Sequence, residues 1–274
     1  MRKYFAYPYI IWCSLFILCP LFIVIVFSLM SVDSNGDIVI SMSNYTRFFE
    51  PLYLKVFVRS LLLAGLSTLC CLILGYPMAW ILSQMKEKTR KIAVILFVMP
   101  MWMNFLLRTY AWLAILSRNG LINTVLKSFN LPELNLLFND GAVMLGMIYN
   151  FIPFMILPIY TVLSKMNKNV LEAAEDLGAN KWVKFRKIIW PLSIPGIISG
   201  ITMVFMPAVS TFVISALLGG GQYMLVGNLI EQQFKSAGDW YFGSAISIIM
   251  MIVIIISMAA MTRYDTDESG HVLW

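Results

Sequence analysis

Charge is scarce in this chain. Asp, Glu, Lys and Arg make up 12% of its 274 residues, where an ordinary soluble domain carries about 25%. That shortage excludes a water-soluble globular protein. Titratable chemistry is scarcer still: the single histidine is His271, and no carboxylate lies inside an apolar segment. The paired acids and bases of a membrane-embedded enzyme are therefore missing, as are the midplane ionisable groups of a self-powered secondary carrier. The four cysteines, Cys13, Cys19, Cys70 and Cys71, all fall in apolar stretches without C-x-x-C spacing. They imply neither a disulfide framework nor a metal site, and read as small buried hydrophobes. The glycine run Gly219-Gly220-Gly221-Gln222-Tyr223 lacks the Gly-Lys-Ser/Thr ending of a phosphate cradle. Any ATP must bind elsewhere. No internal repeat or low-complexity tract is present.

What is there is apolar. Hydrophobic residues make up 60% of the chain, and a membrane span needs about 20 mostly apolar residues in a row. Six segments meet that test, at roughly 6–30, 57–85, 92–117, 142–164, 191–212 and 241–262. An all-α integral membrane protein of six transmembrane helices follows, a single transmembrane domain over 1–274 with both termini on one side. Arg2 and Lys3, the loop 86–91, the loop 165–190 and the tail after Thr262 hold 13 of the 20 Lys and Arg; Arg47, Lys55, Arg59, Arg118, Lys127 and Lys235 lie on the opposite face. The positive-inside rule then puts both termini and the loop 165–190 in the cytoplasm. The net charge of +6 reports this topology and contact with anionic lipid, with no nucleic-acid partner. The first apolar run is longer than a secretory signal core and lacks an A-x-A-like end, so it is expected to be retained as a span.

Pro8, Pro20, Pro77, Pro100, Pro153, Pro158, Pro191, Pro195 and Pro207 lie in or at the ends of apolar segments, where a missing N–H bends a helix. Gly196 and Gly200 form a G-x-x-x-G pair that admits a close helix neighbour. The loop 165–190 has capping chemistry of its own. Asn169 is expected to cap a short helix containing Glu172, and Gly178 to end it in a left-handed conformation. Val170, Ala173, Ala174 and Leu177 would form a narrow apolar stripe flanked by Glu175 and Asp176. Asn180 would cap a second helix, with Trp182, Phe185 and Ile189 on one face and Lys181, Lys184, Arg186 and Lys187 on the other. Such a helical hairpin offers a knob for a groove on a cytoplasmic partner.

Residue by residue, Glu172-Ala173-Ala174, Gly178, Ile188 and Pro191 resemble the EAA loop of permease subunits from bacterial ABC importers, with Trp190 where that family usually has leucine. The resemblance implies a type I ABC importer permease fold in the bacterial inner membrane, with a cytoplasmic coupling-helix hairpin. It implies that Glu172, Ala173, Ala174, Leu177 and Gly178 couple the chain to ATPase subunits. The partners implied are a second homologous permease, two nucleotide-binding subunits carrying ATP and Mg, and a periplasmic substrate-binding protein; this chain itself holds no cofactor or metal and is not catalytic. Asn44-Tyr45-Thr46-Arg47, Pro51-Leu52-Tyr53, Leu74-Gly75-Tyr76-Pro77, Arg108-Thr109-Tyr110 and Val226-Gly227-Asn228 further resemble the first permease subunit of spermidine/putrescine importers. That family leads one to expect a carboxylate just before Gly219, where Ser215 and Ala216 stand. A permease for an amino acid or inorganic ion is the alternative.

A protonated polyamine asks for carboxylates, aromatic faces and an apolar passage for its methylenes. The acids outside the cytoplasmic face, Asp33, Asp37, Glu50, Glu133, Asp140, Glu231 and Asp239, all lie in or near loops, so a partner subunit must contribute. Asn104, Arg108 and Trp112 recur at four-residue spacing and should share one helix face, with Trp102 and Tyr110 beside them. Gly146, Asn150 and Phe154 repeat the four-residue pattern on the fourth span, next to Tyr149 and Phe151. Tyr223 sits in the outer glycine loop, read as a re-entrant or scoop-like element or a plain turn. These are the candidate pathway residues. Arg108, well inside its span, is expected either to snorkel outward onto a gate or loop carboxylate or to bind an anionic substrate.

Overall fold

Apolar runs too long for a soluble protein become long helices, and polar breaks become caps and turns. The computed structural model describes residues 11–33, 36–221 and 223–269; Arg2, Lys3, Gln222, His271 and the first residues of the 6–30 span lie outside them. The helices are α1 (Ile11–Ser28), α2 (Ser43–Phe48), α3 (Pro51–Gln84), α4 (Glu87–Trp102), α5 (Phe105–Leu116), α6 (Leu121–Ser128) and α7 (Asp140–Lys165). They continue with α8 (Lys168–Asp176), α9 (Lys181–Ser210), α10 (Val213–Leu218), α11 (Val226–Gln232) and α12 (Trp240–Ser269). Five of the described helices are long and apolar enough to cross a membrane, and the count is six when α4 and the bent stretch after it are taken as one span. The departure from an all-helical chain is a two-stranded antiparallel hairpin, β1 (Met30–Val32) and β2 (Ile38–Ile40), with Ser31 opposite Val39.

The third span is not straight. The chain turns by 91° between Glu87–Trp102 and Phe105–Ser128. Pro100 withholds a backbone donor near the end of α4, Met103 is extended, and the Asn104 side chain caps α5 by accepting from the Leu106 N–H at 2.8 Å. Asn104 is thus a helix cap, which corrects the expectation that it shares one unbroken helix face with Arg108 and Trp112. The fifth span begins ten residues before 191, because the helix started by Asn180 runs through Pro191, which sits in the first turn of a long apolar stretch.

The chain forms two compact units, Met1–Val58 with Leu225–Ile256, and Arg59–Met224 with Ser257–Trp274. In the first, Asn44 Nδ2 donates to Met30 O at 2.7 Å and Tyr45 Oη to Ser28 Oγ at 2.8 Å, which fastens α2 to the hairpin and the end of α1. Arg47 pairs with Asp239 at 2.7 Å and lies over the Phe242 ring at 4.1 Å. In the second, α7 and α9 carry the packing core, including Met147, Met155, Ile156, Ile159 and Val204. The G-x-x-x-G pair explains their proximity. A Cβ on Gly196 would sit 3.0 Å from Ile159 Cα and Pro158 O, and one on Gly200 would sit 2.7 Å from Met155 Sδ. Gly196→Leu must therefore push the helices apart, and overpacking of this kind costs about 1–3 kcal/mol. We expect a lowered melting temperature of the purified protein in detergent; an unchanged melting curve would mean that the α7–α9 contact is loose.

Of the cysteines, Cys71 is buried while Cys19 is exposed on α1, so burial within the chain holds for only part of the set.

Candidate functional site

The cytoplasmic hairpin of the sequence reading is α8 and the start of α9. The cap of α8 is Asn167, whose side chain accepts from Asn169 N–H at 3.0 Å, and not Asn169 itself. The helix starts directly after α7 ends at Lys165, so the earlier asparagine reaches the free donors first. At the other end Gly178 has φ +79°, its N–H donates to Glu175 O at 2.8 Å, and the Ala179 N–H donates to Ala174 O at 2.9 Å. That pair of bonds is the Schellman ending that glycine permits. Asn180 caps α9 by accepting from Val183 N–H at 2.9 Å.

Glu172, Ala173, Leu177 and Gly178 are all exposed, Ala174 is half-buried, and Leu177 is 89% exposed. A leucine held rigidly in the open by a capped helix is an apolar knob without a cover on this chain. Behind it the helix is tied down: Lys184 pairs with Glu175, and Trp80, Gln84, Leu171, Glu175, Lys181 and Phe185 line a cavity of about 360 Å³. Tyr76, which sequence reasoning left outside the site, joins this hairpin to the bundle. It is buried, its hydroxyl lies 3.1 Å from Ser193 Oγ, and its ring lies 5.2 Å from that of Trp190 and 6.0 Å from that of Phe185. The signal for it was an aromatic facing a second aromatic cluster, and the sequence does not announce that pairing.

The candidate pathway residues divide. Trp112 and Tyr149 come together, with ring centroids 5.3 Å apart in an edge-to-face arrangement. Trp102, 77% exposed, stands at the break between α4 and α5, and Tyr110 is exposed on α5. Phe154 is half-buried. Asn150 is buried in α7, its Nδ2 donating to Gly146 O at 2.9 Å, with Oδ1 unpartnered. The Tyr223 ring already carries the guanidinium of Arg59 at 4.5 Å, and Arg59 also pairs with Asp140 at 2.5 Å. The outer glycine run is a pinned turn: Phe138 N–H donates to Leu218 O at 2.9 Å, and the Phe138 ring lies against Gly220.

Arg108 does not snorkel. It is 7% exposed, and its Nε and Nη1 are enclosed without a hydrogen-bond partner among the described residues. Nor does a loop carboxylate of its own unit wait for it: Asp140 is held by Arg59, and Glu133 by Arg118 at 2.9 Å and Lys127 at 3.1 Å. In the other unit Asp239 is held by Arg47 and Glu231 by Lys235. The Glu133 carboxyl is kept below the ordinary carboxylate range by its hydrogen bonds to Arg118 and Lys127. Asp140, Glu133 and Asp239 are thus each held in ion pairs within this chain.

A family model described as the binding-protein-dependent transport system inner membrane component matches residues 71–266. The spermidine/putrescine transport system permease protein PotB of Escherichia coli (strain K12) is 40% identical over 89% of this chain and 90% of its own length. PotB of Haemophilus influenzae is 38% identical over 89% of this chain and 86% of its own. Among solved structures, a bacterial alginate ABC transporter in complex with an alginate pentasaccharide-bound periplasmic protein matches with a TM-score of 0.79 at 17% identity, covering 95% of this chain and 93% of that one. At that identity the likeness is one of fold.

Proposed function

The chain belongs to the family of binding-protein-dependent transport system inner membrane components, and on that premise we propose that it is the permease subunit of an ATP-driven polyamine importer, forming half of the pathway. It is a multi-pass inner membrane protein that works within a transporter complex, and ATP hydrolysis belongs to a separate subunit. The cargo is a protonated polyamine such as spermidine or putrescine. The reading rests above all on the 40% identity with a spermidine/putrescine permease over nearly the whole chain. The chemistry is compatible, with an aromatic pair at Trp112 and Tyr149 and exposed Trp102 and Tyr110 for cation–π contact. Carboxylates for the cargo come from the second permease, because most outer acids of this chain are already neutralised.

On the cytoplasmic face, the exposed stripe ending at Leu177 and Gly178 inserts into a groove of a nucleotide-binding subunit, which carries ATP and Mg, in the helix-in-groove mode. The termini lie on that same side. On the outer face, a cavity of about 740 Å³ lined by Ser31, Asn44, Arg47, Glu50, Asp239 and Tyr241 offers a polar seat for the substrate-binding protein. ATPase activity of the reconstituted complex, measured with the cognate binding protein across spermidine, putrescine, amino acids and inorganic anions, tests the cargo. Stimulation by the polyamines alone is expected; stimulation by an amino acid or an anion instead would replace the cargo assignment.

A further inference from the structure

The cavity of about 360 Å³ behind the coupling hairpin lies where three elements meet. The last turns of α3 give it Trp80, α8 gives Leu171 and Glu175, and the first turns of α9 give Lys181, Lys184 and Phe185. Here α3 leaves the apolar layer and α9 enters it, which sets the cavity at the level of lipid headgroups. Trp182 and Trp190 stand exposed on the same stretch of α9, the aromatic mark of a membrane–water boundary. Lys184 is held by Glu175. Lys181 is exposed and has no ion-pair partner among the described residues. Two lysines against one glutamate leave the lining with one net positive charge. A cationic cargo is repelled there, and a single phosphodiester supplies the opposite charge. Leu171, Phe185 and Trp80 offer an apolar exit for the glycerol and first methylenes of a lipid, for which a free anion has no use. Basic pockets between spans on the cytoplasmic side suit anionic headgroups for these reasons.

We propose that this cavity seats the headgroup of an anionic phospholipid of the cytoplasmic leaflet, with Lys181 paired to its phosphate. The inference rests on the reading above in one respect, namely that the hairpin lies on the cytoplasmic surface. An ammonium has three donors, so Lys184 can keep Glu175 and still donate to a second phosphate oxygen. The lipid then bridges α3 to α8 and the base of α9. Phe185 belongs both to this lining and to the aromatic joint with Tyr76 and Trp190. A headgroup in the cavity therefore stiffens the path by which motion of α8 reaches the spans, and makes coupling depend on the charge of the surrounding lipid.

The test uses the whole transporter complex in nanodiscs of phosphatidylcholine mixed equally with phosphatidylglycerol. Native mass spectrometry of the released complex, without cargo or ATP, should show phosphatidylglycerol retained by the wild type and about fivefold less retained by K181Q, the effect expected of one lysine at an anionic surface. K181R should retain it as the wild type does. K91Q is the control, since Lys91 is an exposed lysine outside the cavity, 2.8 Å from Glu87; its retention should be unchanged. ATPase activity with the binding protein should rise on passing from pure phosphatidylcholine to the mixture in the wild type and K91Q, and not in K181Q. Equal retention by the wild type and K181Q would overturn the proposal, and so would an equal loss in K91Q, which reduces the effect to surface charge. Displacement of the lipid by inorganic phosphate would assign the cavity to a soluble anion instead. Retention is read without cargo or ATP, so the lipid seat can fail while the transport reading stands, and the reverse.

Discussion

Gly178→Trp should abolish ATP-driven uptake while leaving the chain inserted in the membrane. With φ at +79°, Gly178 holds a conformation that side chains rarely adopt, and a Cβ there would meet nothing within 4 Å. The space beside it is open on this chain, and in the assembly it is the space in which an ATPase groove would close over α8. A tryptophan therefore brings two effects, backbone strain of about 1–2 kcal/mol and a large ring in the docking surface. Gly178→Ala separates them, because alanine carries the strain with almost no bulk. Alanine should keep a large part of the uptake. Leu177→Asp places a charge on the 89% exposed knob and should act like tryptophan, since burying it unpaired in an apolar groove is costly. The measurement is uptake and stimulated ATPase activity in vesicles containing the whole complex. Normal values for both in Gly178→Trp would remove α8 from the coupling path.

Tyr76→Ala should both destabilise the protein and uncouple it. The ring is the joint between α3 and the base of α9, in contact with Phe185 and Trp190, and its hydroxyl reaches Ser193 Oγ at 3.1 Å. Truncating a buried aromatic costs about 3–5 kcal/mol, whereas Tyr76→Phe removes one hydrogen bond worth about 1 kcal/mol. Melting in detergent should fall steeply for alanine and only slightly for phenylalanine, and transport should follow the same order. Motion imposed on α8 and the start of α9 can reach the spans through this cluster, so alanine should lower uptake per ATP hydrolysed as well as stability. Wild-type melting and uptake in Tyr76→Ala would show that the cluster bears no load.

The parts of the fold that were legible are those in which one local signal decides. Uninterrupted apolar runs gave the spans, because no polar residue competes with helix there. Gly178 and Asn180 were legible because left-handed backbone and unpaired helix donors each admit few residue types. Hydropathy read straight through the break at Met103-Asn104, since the run is apolar on both sides. Pro100 followed by Asn104, a breaker and then a cap residue, was the available sign. Gly36, which has φ +86°, likewise marked the break between β1 and β2, and the apolar first span overshadowed it. The surroundings of Arg108 and Tyr76 were not legible, because they depend on which helices meet, and one face of a span looks like another when nearly every residue is apolar. The ties of Arg59 to Asp140 and Tyr223, and of Arg47 to Asp239 and Phe242, join residues far apart in the chain. They hold Asp140 and Asp239 in ion pairs within this chain, which hydropathy cannot show.

Radiolabelled spermidine uptake into vesicles of the reconstituted complex bears most directly on the account. It is read with the binding protein outside and ATP, a non-hydrolysable analogue, or an ion gradient alone supplied to the side of α8. Accumulation that requires both the binding protein and hydrolysable ATP is the predicted result. Accumulation driven by the gradient without ATP, or none with spermidine under conditions where another solute is taken up, would contradict it.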